Sequence, residues 1–162
     1  KSPAWLYKAY DYVRMDAFVC GQNIPPETEF EGDEPAADLE AAILTEQHKP
    51  LAGCRLTYPA ENTGKIGRVC VTRERQRSGA GQILIAEAEK WIREKGVKHI
   101  VINSQDRAAA FYEKCGYRLV PGADPERYER KTPAERESGR AEKTVHKKNP
   151  GFDCVLMEKY LA

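Results

Sequence analysis

Residues 69–81, VCVTRERQRSGAG, join an apolar strand to a long helix through a basic turn that contains two glycines. The start of a helix presents unpaired backbone N–H groups and a partial positive charge, and glycine lets the backbone approach an anion closely. Arg73, Arg75 and Arg77 add cationic side chains that can pair with phosphate. The turn therefore has the features of a pyrophosphate-binding site, although Gly-x-Gly before a helix also occurs in tight turns that bind nothing.

Two common phosphate motifs do not fit this turn. A P-loop requires Lys-Ser or Lys-Thr directly after its second glycine, whereas Gly81 is followed by Gln82. In the dinucleotide pattern Gly-x-Gly-x-x-Gly, Leu84 stands in the place of the third glycine. Both departures disfavour a nucleotide-binding protein of another fold.

The segments around the turn predict a mixed α/β chain. Apolar residues recur at helical spacing from about Gly79 to Lys95, and Gly96 suits the end of that helix. The strand at Val97–Asn103 has a continuous apolar centre, which is typical of a strand covered on both faces and next to a parallel neighbour. The other predicted elements are a helix at 3–19, strands at 41–45, 50–57 and 65–71 in an antiparallel meander, a helix at 105–114, and strands at 117–120 and 152–160.

Composition restricts the class of protein. The 162 residues, with 26 basic and 25 acidic side chains, are expected to form one domain over 1–162 without the strong field that nucleic-acid binding needs. No apolar run of about 18 residues and no signal-like N-terminus is visible, so we expect a cytoplasmic protein that is not bound to a membrane. The five cysteines are scattered singly, and no metal site is expected.

Two charged segments interrupt the pattern. Residues 27–40 carry seven acidic side chains and no basic one, and we interpret them as an exposed acidic loop. Residues 121–151 are too polar to form a core of their own, so they are expected to be an insertion before the last strand.

Two motifs resemble those of a known family. Gln76-x-x-Gly79-x-Gly81 is similar to the Q/R-x-x-G-x-G/A acetyl-CoA signature of GNAT N-acetyltransferases. The segment at 108–117, with Ala108, Phe111-Tyr112-Glu113-Lys114 and Gly116-Tyr117, resembles that family's A-x-x-F-Y-E-K-x-G-F segment. The resemblance is strong from Ile66 to Val120 and weaker elsewhere, where it is closest to ElaA-like bacterial members. Gln105 stands where many members have an asparagine, and the insertion is longer than usual.

The resemblance implies an acetyl-CoA-dependent N-acetyltransferase that acts on a primary amine of a small molecule or peptide. It also implies a GNAT fold, a single mixed sheet flanked by helices and splayed open between the strands that end at Val71 and Asn103. The pantetheine arm would pair with the backbone of one parted strand, and the pyrophosphate would lie on the turn. The implied cofactor contacts are Val69, Cys70, Val71, Gln76, Arg77, Ser78, Gly79, Ala80, Gly81, Gln105 and Tyr112.

The chemistry suggests roles for a few groups. The Cys70 backbone N–H is the candidate donor to the developing oxyanion, and Tyr112 is the candidate acid for the departing thiolate, with a packing tyrosine as the alternative. Tyr112 is expected about 100° round the helix from a core stripe that includes Phe111. Glu27, Glu29 and Glu31 could attract a cationic amine or relay its proton, but a merely solvated loop is the favoured interpretation of these residues.

Two alternatives to the enzyme stay open at this point. One is a non-catalytic acyl-CoA-binding sensor or interaction module, and the other is a phosphate-binding protein of a different fold. The sequence does not choose between a monomer and a homodimer.

Overall fold

The computed structural model describes residues 3–30, 40–128 and 153–162. Four helices and six strands occur in these ranges. In chain order they are α1 (Ala4–Arg14), α2 (Pro26–Glu29), β1 (Glu40–Glu46), β2 (Lys49–Ala60), β3 (Thr63–Val71), α3 (Ala80–Glu94), β4 (His99–Gln105), α4 (Ala109–Lys114), β5 (Arg118–Leu119) and β6 (Cys154–Tyr160). A π-helical segment, Met15–Cys20, continues α1, and short 3₁₀ turns lie at Arg73–Arg75 and Asp106–Ala108.

The strands form one mixed sheet in the order β1-β2-β3-β4-β6-β5. The first three strands are an antiparallel meander, as predicted. β3 and β4 run parallel and are connected by α3, which crosses over one face of the sheet. β6 lies antiparallel between β4 and β5. The predicted mixed α/β sheet flanked by helices is confirmed.

The central pair of strands separates after a short contact. β3 and β4 are in register at only three residue pairs, the last of which is Lys65 with Val101. Beyond this pair β3 contains a bulge. Gly53 of β2 pairs with Cys70 and Arg55 pairs with Gly67, so β3 spans three residues where β2 spans two. The predicted splaying of the sheet between these two strands is therefore confirmed.

Each face of the sheet is covered by different helices. The main core packs α3 and α4 against one face, and it includes Ala52, Cys54 and Leu56 of β2. A smaller cluster on the other face joins α1 and the π-helical segment to β3 and consists of Val13, Ala17, Phe18, Ile24 and Cys70. Residues of β2 and β3 therefore alternate between an α3 side and an α1 side of the sheet.

Three predicted element boundaries were wrong. The N-terminal helix changes to π-helical geometry at Met15 instead of continuing regularly to Val19. Gln105 ends β4, and the following helix begins only at Ala109, after a 3₁₀ turn. Residues 26–29, expected in an exposed loop, form the single turn α2.

Parts of the two charged segments lie outside the described residues. These are 31–39, which include Glu31, and 129–151 of the expected insertion, together with residue 152 of the predicted last strand. No helix in the described ranges is long and apolar enough to cross a bilayer.

Candidate active site

A cleft of about 360 Å³ opens where β3 and β4 part. Its central walls are Lys65 to Val69 of β3 and Ile102 to Gln105 of β4. Ala108 and Tyr112 line it from the α3 side of the sheet, whereas Phe18, Gln22, Ile24 and Glu29 line it from the α1 side. The cleft therefore passes through the sheet and connects its two faces.

Beyond Lys65, β3 has an unpaired edge along this cleft. β2 occupies the other edge of β3 up to Val71, and the pairing with β4 has already ended. The backbone along this edge is available to pair with the amide groups of an extended ligand. Val69 lines the cleft from this stretch, as predicted for a cofactor contact.

The turn between β3 and α3 presents free N–H groups. Gly79 is the residue before α3, with a left-handed φ of 88°, and no side chain caps the helix. The N–H groups of the first helical turn are therefore without intrahelical partners, and Gln76, Arg77 and Ser78 beside them are exposed. A Cβ at Gly81 would lie 3.0 Å from the Phe111 ring, so glycine is required for α3 to approach α4 this closely.

The three arginines of the turn differ in their surroundings. Arg73 is bound by Asp16 of the π-helical segment, and Arg75 is paired with Glu46. Arg77, with a φ of 60°, has no ion pair among the described residues. Arg77 is thus the arginine of the three whose charge is least compensated by the protein.

Tyr112 is more buried than predicted but does reach the cleft. It is 6% exposed and belongs to the main core, so the expectation that it lies outside the core-facing stripe was wrong, whereas Phe111 packs partly buried against that core, as expected. Burial, together with the nearby thiols of Cys54, Cys115 and Cys70, raises the pKa of the Tyr112 phenol. The hydroxyl therefore stays protonated at neutral pH.

Cys70 presents its side chain to the α1 side, away from the main core. The thiol donates a hydrogen bond to the carbonyl oxygen of Gly53 at 3.4 Å, and burial raises its pKa. The Cys70 thiol is thus a buried structural group. The role of the Cys70 backbone N–H stays a prediction.

Gln105 bridges two parts of the cleft wall. Its side-chain amide donates to Gln22 at 2.9 Å and accepts from Arg107 at 2.8 Å. Gln105 lines the cleft as expected, and these bonds fix its orientation.

The two candidate acidic residues that the structure describes, Glu27 and Glu29, have different surroundings. Glu29, 1% exposed, accepts a 2.8 Å hydrogen bond from the buried guanidinium of Arg14 and a 3.2 Å bond from Arg68. Its backbone carbonyl accepts another from Arg14 at 2.7 Å. Glu27 is exposed and is not among the residues that line the cleft. The expectation of a solvated loop was wrong for Glu29.

Three cationic residues that were not predicted as site residues also line the cleft: Arg55, Lys65 and Arg68. Arg55 is opposite Gly67 and Lys65 is opposite Thr57 in the strand register, so both side chains lie on the α1 side. A signal was available, because the alternation of β2 places Arg55 on the face opposite the apolar residues Cys54 and Leu56.

Comparisons with known proteins give a consistent result. The model of the Acetyltransferase (GNAT) family matches residues 7–117. The uncharacterized N-acetyltransferase YjcF of Bacillus subtilis is 33% identical over 109 residues, which cover 67% of this chain and 76% of that protein.

Solved structures extend the similarity to nearly the whole chain. A protein of Lactobacillus plantarum described as an N-acetyltransferase superposes with a TM-score of 0.76 at 26% identity, covering 99% of this chain and 94% of the other. Escherichia coli ElaA gives a TM-score of 0.70 at 18% identity, covering 98% and 93%, which shows a common fold.

Proposed function

The chain belongs to the GNAT acetyltransferase family, and we propose that it transfers the acetyl group of acetyl-CoA to a primary amine within the cleft between β3 and β4. The observation that carries this proposal is the continuity of β3 with the turn at 76–81. The same strand supplies an unpaired edge and then leads into a helix start with free N–H groups.

These features fit the two ends of acetyl-CoA. The amide groups of the pantetheine arm can pair with the free edge of β3, as an added strand would. The pyrophosphate suits the N–H groups of residues 76–81, where the α3 dipole favours an anion and Arg77 adds a positive charge. Gly79 adopts its left-handed conformation without strain, which keeps the turn in this shape.

Acetyl-CoA supplies a thioester whose carbonyl carbon accepts the amine and whose sulfur leaves as a thiolate. The Cys70 N–H is proposed to stabilise the negative charge that develops on the carbonyl oxygen. Tyr112 is proposed to donate its phenolic proton to the sulfur, which its protonated state and its position on the cleft support.

The first test is binding and turnover by the intact chain. Calorimetric titration should show that acetyl-CoA binds, while ATP and NAD bind much more weakly. Thiol release from acetyl-CoA should then be measured with polyamines, aminoglycosides, amino acids and lysine peptides. Binding without thiol release from any amine would contradict the catalytic proposal and favour an acyl-CoA sensor. The absence of binding would contradict the assignment of the cleft.

A matched pair of glycine variants tests the turn itself. Gly79 and Gly96 both have positive φ, 88° and 77°, and at neither site would an added Cβ meet a non-neighbouring atom within 4 Å. Alanine at either site should cost about 1–2 kcal/mol of stability, because a left-handed conformation is strained for any residue with a Cβ. Only Gly79→Ala should also weaken acetyl-CoA binding, since Gly96 lies at the far end of α3. If the two variants bind acetyl-CoA with equal affinity, the turn is not part of the binding site.

A further inference from the structure

We propose that the acceptor is a small amine that also carries a carboxylate, as amino acids do, and that Arg55, Lys65 and Arg68 bind this carboxylate on the α1 side of the cleft. This inference rests on the proposed acetyl transfer, and it adds the chemical class of the second substrate. The reasons are the charge, the shape and the location of this part of the cleft.

Among the described residues that line the cleft, cationic side chains outnumber anionic ones. Arg55, Lys65 and Arg68 line it, together with the carboxylates of Glu29 and Glu126. Glu29 is already bonded to Arg14, which lies behind it, and to Arg68. The described lining residues thus carry three positive charges and two negative ones. Arg55, Lys65 and Glu126 also make contacts within the protein.

The cations are held in a partly desolvated wall. Lys65 is 7% exposed, although lysine is seldom buried to this degree. Arg68 has a φ of 50° at the bulge of β3, and Glu29 holds its guanidinium at 3.2 Å. A charge in such surroundings attracts a counter-ion more strongly than it does in water. Arginine and lysine bind carboxylates through charge-assisted hydrogen bonds, which arginine can make in bidentate form.

Gly67 leaves space beside these cations. It lies opposite Arg55 in the register, and a Cβ built on it would meet only the Lys65 Cε, at 3.9 Å. A side chain at this position would occupy the space next to Arg55 and Lys65. The absence of one leaves room for a ligand group.

The size and position of the cleft favour a small molecule. Its volume of about 360 Å³ must hold both the acetyl end of the cofactor and the acceptor. Tyr112, the proposed acid, lines the same cleft from the α3 side. An acceptor bound from the α1 side can therefore direct its amine toward the gap while its carboxylate stays with the cations.

The reaction of such an acceptor balances without a further reactant. The amine nitrogen forms a bond to the acetyl carbon, and the bond from that carbon to sulfur breaks. Of the two protons lost from the ammonium group, one ends on the sulfur of CoA and the other passes to solvent. The products are an N-acetyl amino acid, CoA and one proton.

The experiment compares acceptors that differ only in the carboxylate. Thiol release should be measured for a panel of amino acids and for the corresponding amino acid amides at saturating acetyl-CoA. We expect kcat/KM to be about 10- to 100-fold higher for the acids, as charge-assisted hydrogen bonds would give. Equal rates for acids and amides, or a preference for polyamines, would overturn the inference while leaving acetyl transfer intact.

Variants assign the preference to the named residues. Lys65→Met and Arg55→Met should remove most of the preference for acids, whereas Lys65→Arg should retain it. Gly67→Leu should raise the KM of the acceptor by a larger factor than it raises the dissociation constant of acetyl-CoA. Lys98→Met, which removes an exposed cation outside the cleft, is the control. It should change neither the preference for acids nor the KM of the acceptor. A preference that survives both methionine variants would contradict the assignment.

A binding measurement separates this inference from the catalytic proposal. With CoA present, calorimetry should show tighter binding of N-acetyl amino acids than of N-acetyl amino acid amides. If no amine is acetylated but this difference is observed, the catalytic proposal fails and the carboxylate site stands. If amines are acetylated and N-acetyl amino acids bind no more tightly than their amides, the carboxylate site is contradicted and the proposed acetyl transfer is not.

Discussion

Asp16 accepts three hydrogen bonds from Arg73, one from its backbone N–H at 2.7 Å and two from its guanidinium at 3.1 and 3.3 Å. This contact ties the π-helical segment, whose Phe18 lines the cleft, to the residues just before the turn at 76–81. π-Helical segments often occur at functional sites. Here the segment brings one carboxylate into reach of both the backbone and the side chain of the turn.

We expect Asp16→Asn to weaken acetyl-CoA binding about three- to tenfold. The amide keeps the size of the side chain but loses the charge, so Arg73 is held less firmly and the turn that follows it becomes less ordered. Calorimetry with acetyl-CoA measures the effect. The matched control is Glu87→Gln, which breaks an exposed ion pair with Lys90 on α3. If both variants bind acetyl-CoA like the unmodified chain, the contact has no role in holding the turn.

The same contact should make stability depend on pH. Burial works against the charge of Asp16, but the hydrogen bonds and positive charge of Arg73 outweigh it, so its pKa lies below the usual value. A lowered folded-state pKa stabilises the protein above the unfolded-state value of about 3.9, and this stabilisation is lost as the pH falls through the folded-state pKa. Urea unfolding at pH 7 and near pH 3 should show a difference in the free energy of unfolding between the unmodified chain and Asp16→Asn. This difference should be smaller at the lower pH. If the difference in the free energy of unfolding is the same at both pH values, the charge of Asp16 is not its cause.

Tyr112→Phe should lower kcat about 100-fold or more while leaving the dissociation constant of acetyl-CoA nearly unchanged. The variant keeps the ring that packs edge to face on Phe111, at 5.1 Å between centroids, and removes only the hydroxyl. General acids commonly contribute factors of 10² to 10⁴. Steady-state thiol release and calorimetry provide the two numbers. Tyr117→Phe is a suitable control because Tyr117 is a buried neighbour that does not line the cleft. Full turnover by the Tyr112 variant would leave Tyr112 as a packing residue.

Gly81→Ala should destabilise the fold by about 1–3 kcal/mol, the usual cost of inserting a methyl group into a filled space. Its Cβ would lie 3.0 Å from Cζ of Phe111 and 3.3 Å from Cε2. Thermal or urea unfolding measures the loss. Phe111→Leu shortens the opposing side chain, so the double variant should recover part of the stability lost in Gly81→Ala. Strictly additive effects would show that the two residues are not in contact.

The fold could be predicted from the sequence to a large extent because its strongest signals are local. The apolar stripe of α3 and the apolar centre of β4 each identify one element, and the two family motifs fix the relation between these elements. The separation of β3 from β4 was also implied by the family resemblance. The bulge that accompanies it was not, since nothing in the sequence around Arg68 indicates a positive φ.

The details that failed depend on contacts between residues that are distant in the sequence. The inward position of Tyr112 was missed because Tyr112 packs in the main core with residues of other elements, such as Cys54 and Met157, and helical spacing alone does not show that packing. Glu29 appeared solvated because its partner Arg14 is 15 residues away. The cations of the cleft appeared to be ordinary charges in strands, because only the strand register places them beside the gap.

The short contact between β3 and β4 has a consequence for the cohesion of the molecule. The sheet consists of two halves, β1 to β3 and β4 to β6, whose direct pairing is limited to three residues on each side. A ligand that pairs with the free edge of β3 would act as a removable seventh strand and join these halves along the remaining length. Binding of a ligand in the cleft is therefore expected to stabilise the pairing between the two halves of the sheet. The amide hydrogens of β3 would then exchange more slowly in the bound state than in the free state.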